Sequence, residues 1–310
     1  MGKKLEQAIA ILNGAVGDRL ASTDNGLATT MTCIHEGREL PMSRKALTHA
    51  HPAATPRIAV FVHGLMCTED VWTLPDGTDY GSLLASDHGF TPLYLRYNSG
   101  LTLAKNGAAF AALLDRLVAE YPVAIEEIVP IGFSMGGLVI RSACHVASLA
   151  PEGHPWLPLV KRAIYVGTPH RGAPMERVGR FVSKVLRAVD DPYTQLAAEL
   201  ADLRSSGVKD LGDGLRDPRH PVPLLPQIQH FLVAGSLSTD ARLASVFGDS
   251  VVPLSSATDG GCVDAATFAL PPSHVKIVSG LAHITLPHHP SVYEHVRAWC
   301  APDMIQEGAT

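Results

Sequence analysis

The feature that most constrains this chain is an apolar strand at 125–133 that runs almost without a loop into a helix at 135–149. The junction reads Gly132-Phe133-Ser134-Met135-Gly136-Gly137. A side chain held on so tight a turn needs a strained backbone, and its neighbours must be small enough to permit it. Gly132 and Gly136 remove the side chains that would clash. The helix beginning at Met135 aims its positive end and its free N–H groups at the Ser134 oxygen. A five-residue G-x-S-x-G pattern alone occurs by chance; between a strand and a helix it marks Ser134 as a candidate nucleophile.

Strands and helices alternate around this junction. Strands are expected at 57–62, 90–97, 125–133, 160–166, 231–234 and 275–278, with helices at 103–121, 135–149 and 292–299. The run 57–62 is apolar on both faces, as a central parallel strand should be. The alternation predicts an α/β fold, a mostly parallel sheet with helices on both faces. Residues 57–310 are expected to form this domain, and 1–56 an accessory segment packed on it, with a short amphipathic helix at 5–12 and a short strand at 31–34. Between 172 and 229 no strong strand signal occurs; 181–186 and 195–203 read as helices. The stretch 173–229 is expected to be an insertion over the sheet edge serving as a helical lid.

Composition enters as a set of exclusions. With 46% hydrophobic and 18% charged residues in 310, the chain is globular rather than disordered. A net charge of −5, with scattered Lys and Arg, excludes a nucleic-acid partner. No apolar run reaches the ~18 residues of a membrane span, and Glu6, Gln7 and Asn13 interrupt what would be a signal peptide. Five cysteines without a CxxC spacing argue against a zinc site and a disulfide framework, so reduced thiols and a cytoplasmic location are expected.

Four positions complete the candidate chemistry. His63-Gly64-Leu65-Met66 follows the strand 57–62, where the loop supplies an oxyanion donor; the two expected donors are the backbone N–H groups of Leu65 and Met135. Each donor is typically worth roughly 3 kcal/mol of transition-state stabilisation. His63 precedes the nucleophile and is read as a loop-orienting residue. The order nucleophile, acid, base leaves His274, His283, His288, His289 and His295. His274 at a strand start and His295 in the last helix read as structural, and His288 and His289 as surface residues of a Pro-flanked turn. His283 follows the last strand directly and is the first candidate base, His289 the second. For the acid, Asp249 lies in a compact turn before an apolar run; Asp240 competes, while Asp259 and Asp264 sit in a Gly-rich loop.

These residues carry a resemblance. Val62-His63-Gly64-Leu65, the Ser134 hexapeptide, Gly167-Thr168-Pro169-His170-Arg171-Gly172-Ala173, Gly248-Asp249-Ser250-Val251-Val252-Pro253, His283-Ile284-Thr285-Leu286 and Pro290-Ser291-Val292-Tyr293 are similar to blocks of bacterial esterases and lipases of the α/β-hydrolase superfamily. The likeness is greatest to the GPI inositol-deacylase group and the triacylglycerol lipases, and it runs from about residue 57 to the end of the closing helix. It implies the α/β-hydrolase fold, Asp249 rather than Asp240 as the acid, and His283 as the base. It departs where relatives place His before the nucleophile, since this chain has Phe133. A calcium site from Asp259 or Asp264 lacks a convincing set of oxygen ligands.

The expectation is therefore a serine carboxylesterase or lipase acting on a small-molecule or lipid ester with an apolar acyl chain, without a cofactor or metal. Transient contact with a lipid surface is compatible with it. An acyltransferase, a polyester depolymerase or an amidase would use the same residues, and a non-catalytic scaffold on a hydrolase fold would use none of them.

Overall fold

The computed structural model describes residues 2–188, 205–215, 222–238, 248–258 and 270–302. Among these residues eight strands form one sheet: β1 (Thr32–His35), β2 (Arg38–Leu40), β3 (Arg57–Val62), β4 (Thr91–Arg96), β5 (Glu127–Phe133), β6 (Arg162–Val166), β7 (Gln229–Ser236) and β8 (Val275–Ser279). Their spatial order is β2-β1-β4-β3-β5-β6-β7-β8. From β4 to β8 all neighbours are parallel, while β1 pairs antiparallel with both β2 and β4. Residues 32–40 thus belong to the sheet itself.

Alternation along each strand splits the interior into two cores. In β3, Ile58, Val60 and Val62 face one side and Ala59 and Phe61 the other, all fully buried. The first side is covered by α1 (Lys3–Ser22), α4 (Leu103–Glu120) and α5 (Met135–Leu149), through Ile11, Phe110 and Leu138 among others. The second is covered by α3 (Tyr80–His88) and α9 (Pro290–Trp299), through Leu84, Val292 and Trp299. Two-sided burial is what makes these strands read as continuous apolar runs. The remaining helices are α2 (Arg44–Ala50), α6 (Met175–Ala188), α7 (Ser206–Asp213) and α8 (Leu254–Thr258).

Helix α1 is longer than its sequence pattern implies, with non-helical dihedrals at Val16. The reason is tertiary. A Cβ on Gly14 would lie 2.3 Å from the Met66 side chain, and one on Gly17 would lie 2.0 Å from the Asn98 side chain. These glycines weaken the helix signal and let α1 press against the loops after β3 and β4. The helix expected at 195–203 lies outside the described residues.

The two ends of the sheet differ in chemistry. At the amino-terminal ends of β5 and β6, Glu127 is bound by Arg162 at 2.6 and 3.1 Å and by Arg57 at 3.2 Å. Arg162 also donates to the Trp299 and Ala301 carbonyls, at 2.6 and 2.9 Å, and so anchors the end of α9. The carboxyl-terminal ends carry Ser134 and the loops around it. No described helix is long and apolar enough to cross a membrane.

Candidate active site

Ser134 sits between β5 and α5 with φ 52° and ψ −120°, a conformation that L residues rarely adopt. Such strain costs of the order of 1–3 kcal/mol and persists only where the surroundings over-determine it. Here they do. The Ser134 N–H donates to the Val166 carbonyl of β6 at 2.8 Å. A Cβ on Gly132 would lie 2.5 Å from the Gly137 nitrogen, and one on Gly136 would lie 2.2 Å from the Val62 carbonyl oxygen. The bend is thus wedged between β3 and the start of its own helix.

Across from it, residues 64–67 form a turn closed by the Cys67 N–H to the Gly64 carbonyl at 3.3 Å, with Met66 at φ 61°. The Met66 N–H is taken by the Ser99 hydroxyl at 3.0 Å. The Leu65 N–H, in the second position of that turn, and the Met135 N–H, first in α5, donate no hydrogen bond among the described residues. A Cβ on Gly64 would come within 3.1 Å of Ser134 Cβ, so the turn lies directly against the serine.

His63 holds this turn in place. Its Nδ1 lies 2.8 Å from the Gly64 carbonyl oxygen, and its Nε2 accepts the Tyr97 N–H at 3.3 Å. The carbonyl requires a proton on Nδ1 and the amide a lone pair on Nε2, which defines one neutral tautomer. The ring stacks on Tyr97 at 4.4 Å, and the Tyr97 hydroxyl donates to the His63 carbonyl at 2.9 Å. Burial pushes the imidazole down from 6.5 to about 4, against a smaller upward pull from the Gly64 carbonyl.

His283, just after β8, faces side chains on both edges. Its Nε2 lies 2.9 Å from Ser134 Oγ, and its Nδ1 lies 2.6 Å from Asp249 Oδ2. The other Asp249 oxygen accepts the Val251 and Val252 N–H groups at 3.1 and 2.7 Å, and the Asp249 carbonyl takes the His283 N–H at 2.9 Å. Serine, histidine and aspartate are 5, 2 and 1% exposed, so water does not compete for these bonds. With the Nδ1 proton held by the carboxylate, Nε2 is left to accept the Ser134 hydroxyl proton. The ring lies 5.0 Å from Phe133 and, edge-on, 6.0 Å from Phe181 of α6.

The structure thus brings Ser134, Asp249 and His283 together, beside the Leu65 and Met135 amides. The other candidates go elsewhere. His289 bonds Ser291 and caps α9; His288 binds the Thr73 carbonyl, His274 the His230 carbonyl, and His295 lies against Trp299. Asp240, Asp259 and Asp264 lie outside the described residues. Among those described, no group of three or more His, Cys, Asp or Glu side chains converges as a metal site. Sequence reasoning missed Tyr97 and Ser99, which have no motif because they act on backbone groups. It also missed Arg177, Arg180 and Lys184 of α6, which line a cavity beside His283; their spacing was readable but the cavity was not.

No protein-family model matches the chain, and no curated protein does. Solved structures do align with it. One is the mature form of the lipase BlEst2 from Bacillus licheniformis, at 18% identity and a TM-score of 0.53 over 79% of this chain and 92% of that one. The propeptide form of the same lipase aligns at 18% identity and a TM-score of 0.51 over 86% of this chain, which spans about half of its length (52%). At such identities the likeness establishes the fold, and that fold is the α/β-hydrolase fold.

Proposed function

We propose that this chain of the α/β-hydrolase fold is a serine ester hydrolase, with Ser134 as nucleophile, His283 as base and Asp249 as the acid that orients it. The observation carrying this reading is the buried, unbroken relay from Ser134 Oγ through His283 to Asp249, at 2.9 and 2.6 Å. A structural serine would not need φ 52° and two glycines held against neighbouring backbone. That a lipase shares the fold supports the same class.

In this reading His283 removes the Ser134 proton as Oγ bonds to the ester carbonyl carbon. The Leu65 and Met135 N–H groups receive the charge that develops on the carbonyl oxygen. Collapse breaks the bond to the alcohol oxygen, which takes the proton from His283 and leaves an acyl-enzyme. Water, losing a proton to the same nitrogen, then bonds to the acyl carbon; the bond to Ser134 Oγ breaks, Oγ takes that proton from His283, and the acid is released. Phe133 against the imidazole favours an apolar acyl chain. Residues 173–229 are read as the cap over this site; α6 contributes Phe181, while 189–204 and 216–221 lie outside the described residues.

Ser134→Ala tests the assignment. It is expected to abolish turnover of p-nitrophenyl butyrate and labelling by a fluorophosphonate while thermal unfolding stays near that of the unaltered protein. Retained turnover, or a label found on another residue, would refute it.

A further inference from the structure

A cavity of about 300 Å³ opens beside His283, between the turn that carries Asp249, the loop that carries His283, and α6. Its walls are apolar, with Phe181, Val185 and Ile284. Arg177, Arg180 and Lys184 also line it, spaced i, i+3 and i+7 along one face of α6. Among the described residues no carboxylate lines the cavity, although the chain as a whole carries a net charge of −5. Arg180 does reach Glu176 at 3.0 Å, but their side chains are 67 and 80% exposed, so water screens that pair. A guanidinium bound once keeps donors for a second anion.

The chemistry of ester cleavage gives the cavity a side. His283 must hand its proton to the leaving oxygen, so the alcohol portion departs past the imidazole. The carbonyl oxygen is held instead at the Leu65 and Met135 amides. The cavity is lined by His283 and by neither of those residues. We propose that it receives the alcohol portion of the ester and that this portion carries an anionic group, a carboxylate or a phosphate, seated against Arg180 and Lys184. The proposal rests on the ester-hydrolase reading above. A volume of about 300 Å³ is at the small end for ligand sites, which suits a compact alcohol. An anionic lipid headgroup offers the same chemistry, but cations around a concavity suit a dissolved anion better than a flat membrane surface.

Three substrates test this: 4-(butanoyloxy)benzoate, the neutral 4-(butanoyloxy)benzamide, and phenyl hydrogen glutarate, whose charge lies on the acyl side. The reading is kcat/KM for each anion relative to the benzamide, in which a loss of folded enzyme cancels. The benzoate is expected to be preferred. Lys184→Glu and Arg180→Glu should each lower that preference about fivefold. Salt raised to about 0.3 M should lower it too, because screening lengths then fall below ~10 Å. The glutarate should respond to neither. A benzoate preference unmoved by both reversals, or one matched by the glutarate, overturns the proposal. So does acceleration by phosphatidylglycerol vesicles with no discrimination between the dissolved esters, which would assign the cations to a lipid surface. Absence of all hydrolysis would sink the ester-hydrolase reading alone, because calorimetric binding of the benzoate and the benzamide to the Ser134→Ala protein still reports the cavity. Tighter binding of the benzoate, lost when Lys184→Glu is added, supports the proposal, and equal binding overturns it.

Discussion

The loops on the two sides of Ser134 each bury a histidine, and they use it in opposite ways. On the amino-terminal side His63 is 0% exposed and both ring nitrogens meet the main chain, at Gly64 and Tyr97. On the carboxyl-terminal side His283 is 2% exposed and both nitrogens meet side chains, Asp249 and Ser134. Protonating His63 would turn Nε2 into a donor facing the Tyr97 N–H, so that ring serves as a strut. In the proposed reaction, protonating His283 transfers the Ser134 proton, and the adjacent carboxylate stabilises the imidazolium that results. On that proposal, burial alone does not make a histidine a base; the partner of its second nitrogen does.

The two histidines should differ most in activity. His283→Ala and Asp249→Asn are each expected to lower kcat on p-nitrophenyl butyrate by roughly 10⁴-fold, the second because the wrong tautomer then faces the serine. His63→Gln is expected to cost about 10- to 100-fold, by loosening the turn that presents the Leu65 amide. It should leave the acid limb of the pH–rate profile where it was. A folded His63→Gln protein as inactive as His283→Ala, with that limb displaced, would erase the distinction between strut and base.

Legibility in the sequence followed how local each device is. The Ser134 bend is contiguous in the chain, so strand, glycines and helix could be read together, and the observed α5 (Met135–Leu149) matches the expected bounds. Asp249 and His283 come together across 34 positions and His283 and Ser134 across 149, distances over which spacing says nothing. Chain order, a place just after a strand or in a compact turn, and resemblance ranked them. Residues with a tertiary task were least legible. β2 has three residues, too few for a period, and exists because Leu40 pairs with Cys33. Gly14 and Gly17 read as helix weakeners until Met66 and Asn98 account for them.

The buried His63 should also make stability depend on pH, a smaller effect. His63 is held at about 4 in the folded protein against an ordinary 6.5. Between those values the unfolded chain binds a proton that the folded one does not, so stability rises with pH across the window. Its contribution is complete above about 6.5 and is lost as pH falls towards 4, amounting to about 3 kcal/mol at the lower end. His230, driven down to about 3 by burial, acts in the same direction over a wider range. Urea unfolding at several pH values between 7 and 4 should give a shallower slope for His63→Gln than for the unaltered protein. Equal slopes would mean that His63 is not linked to folding through its proton.

The smallest change probes the strut without touching the imidazole. Tyr97→Phe keeps the ring stacked on His63 at 4.4 Å but deletes the hydroxyl that donates to the His63 carbonyl at 2.9 Å. Losing one buried hydrogen bond is worth about 1 kcal/mol, or a few degrees in melting temperature for a chain of this size. The His63 carbonyl oxygen would lie 2.5 Å from a Cβ on Gly136, so a shift there is felt at the start of α5. Activity should fall only about threefold, with KM unchanged, because the Leu65 and Met135 amides keep their backbone supports. A loss as large as that of Asp249→Asn would put the Tyr97 hydroxyl into the chemistry, and the amino-terminal wall could no longer be regarded as scaffold.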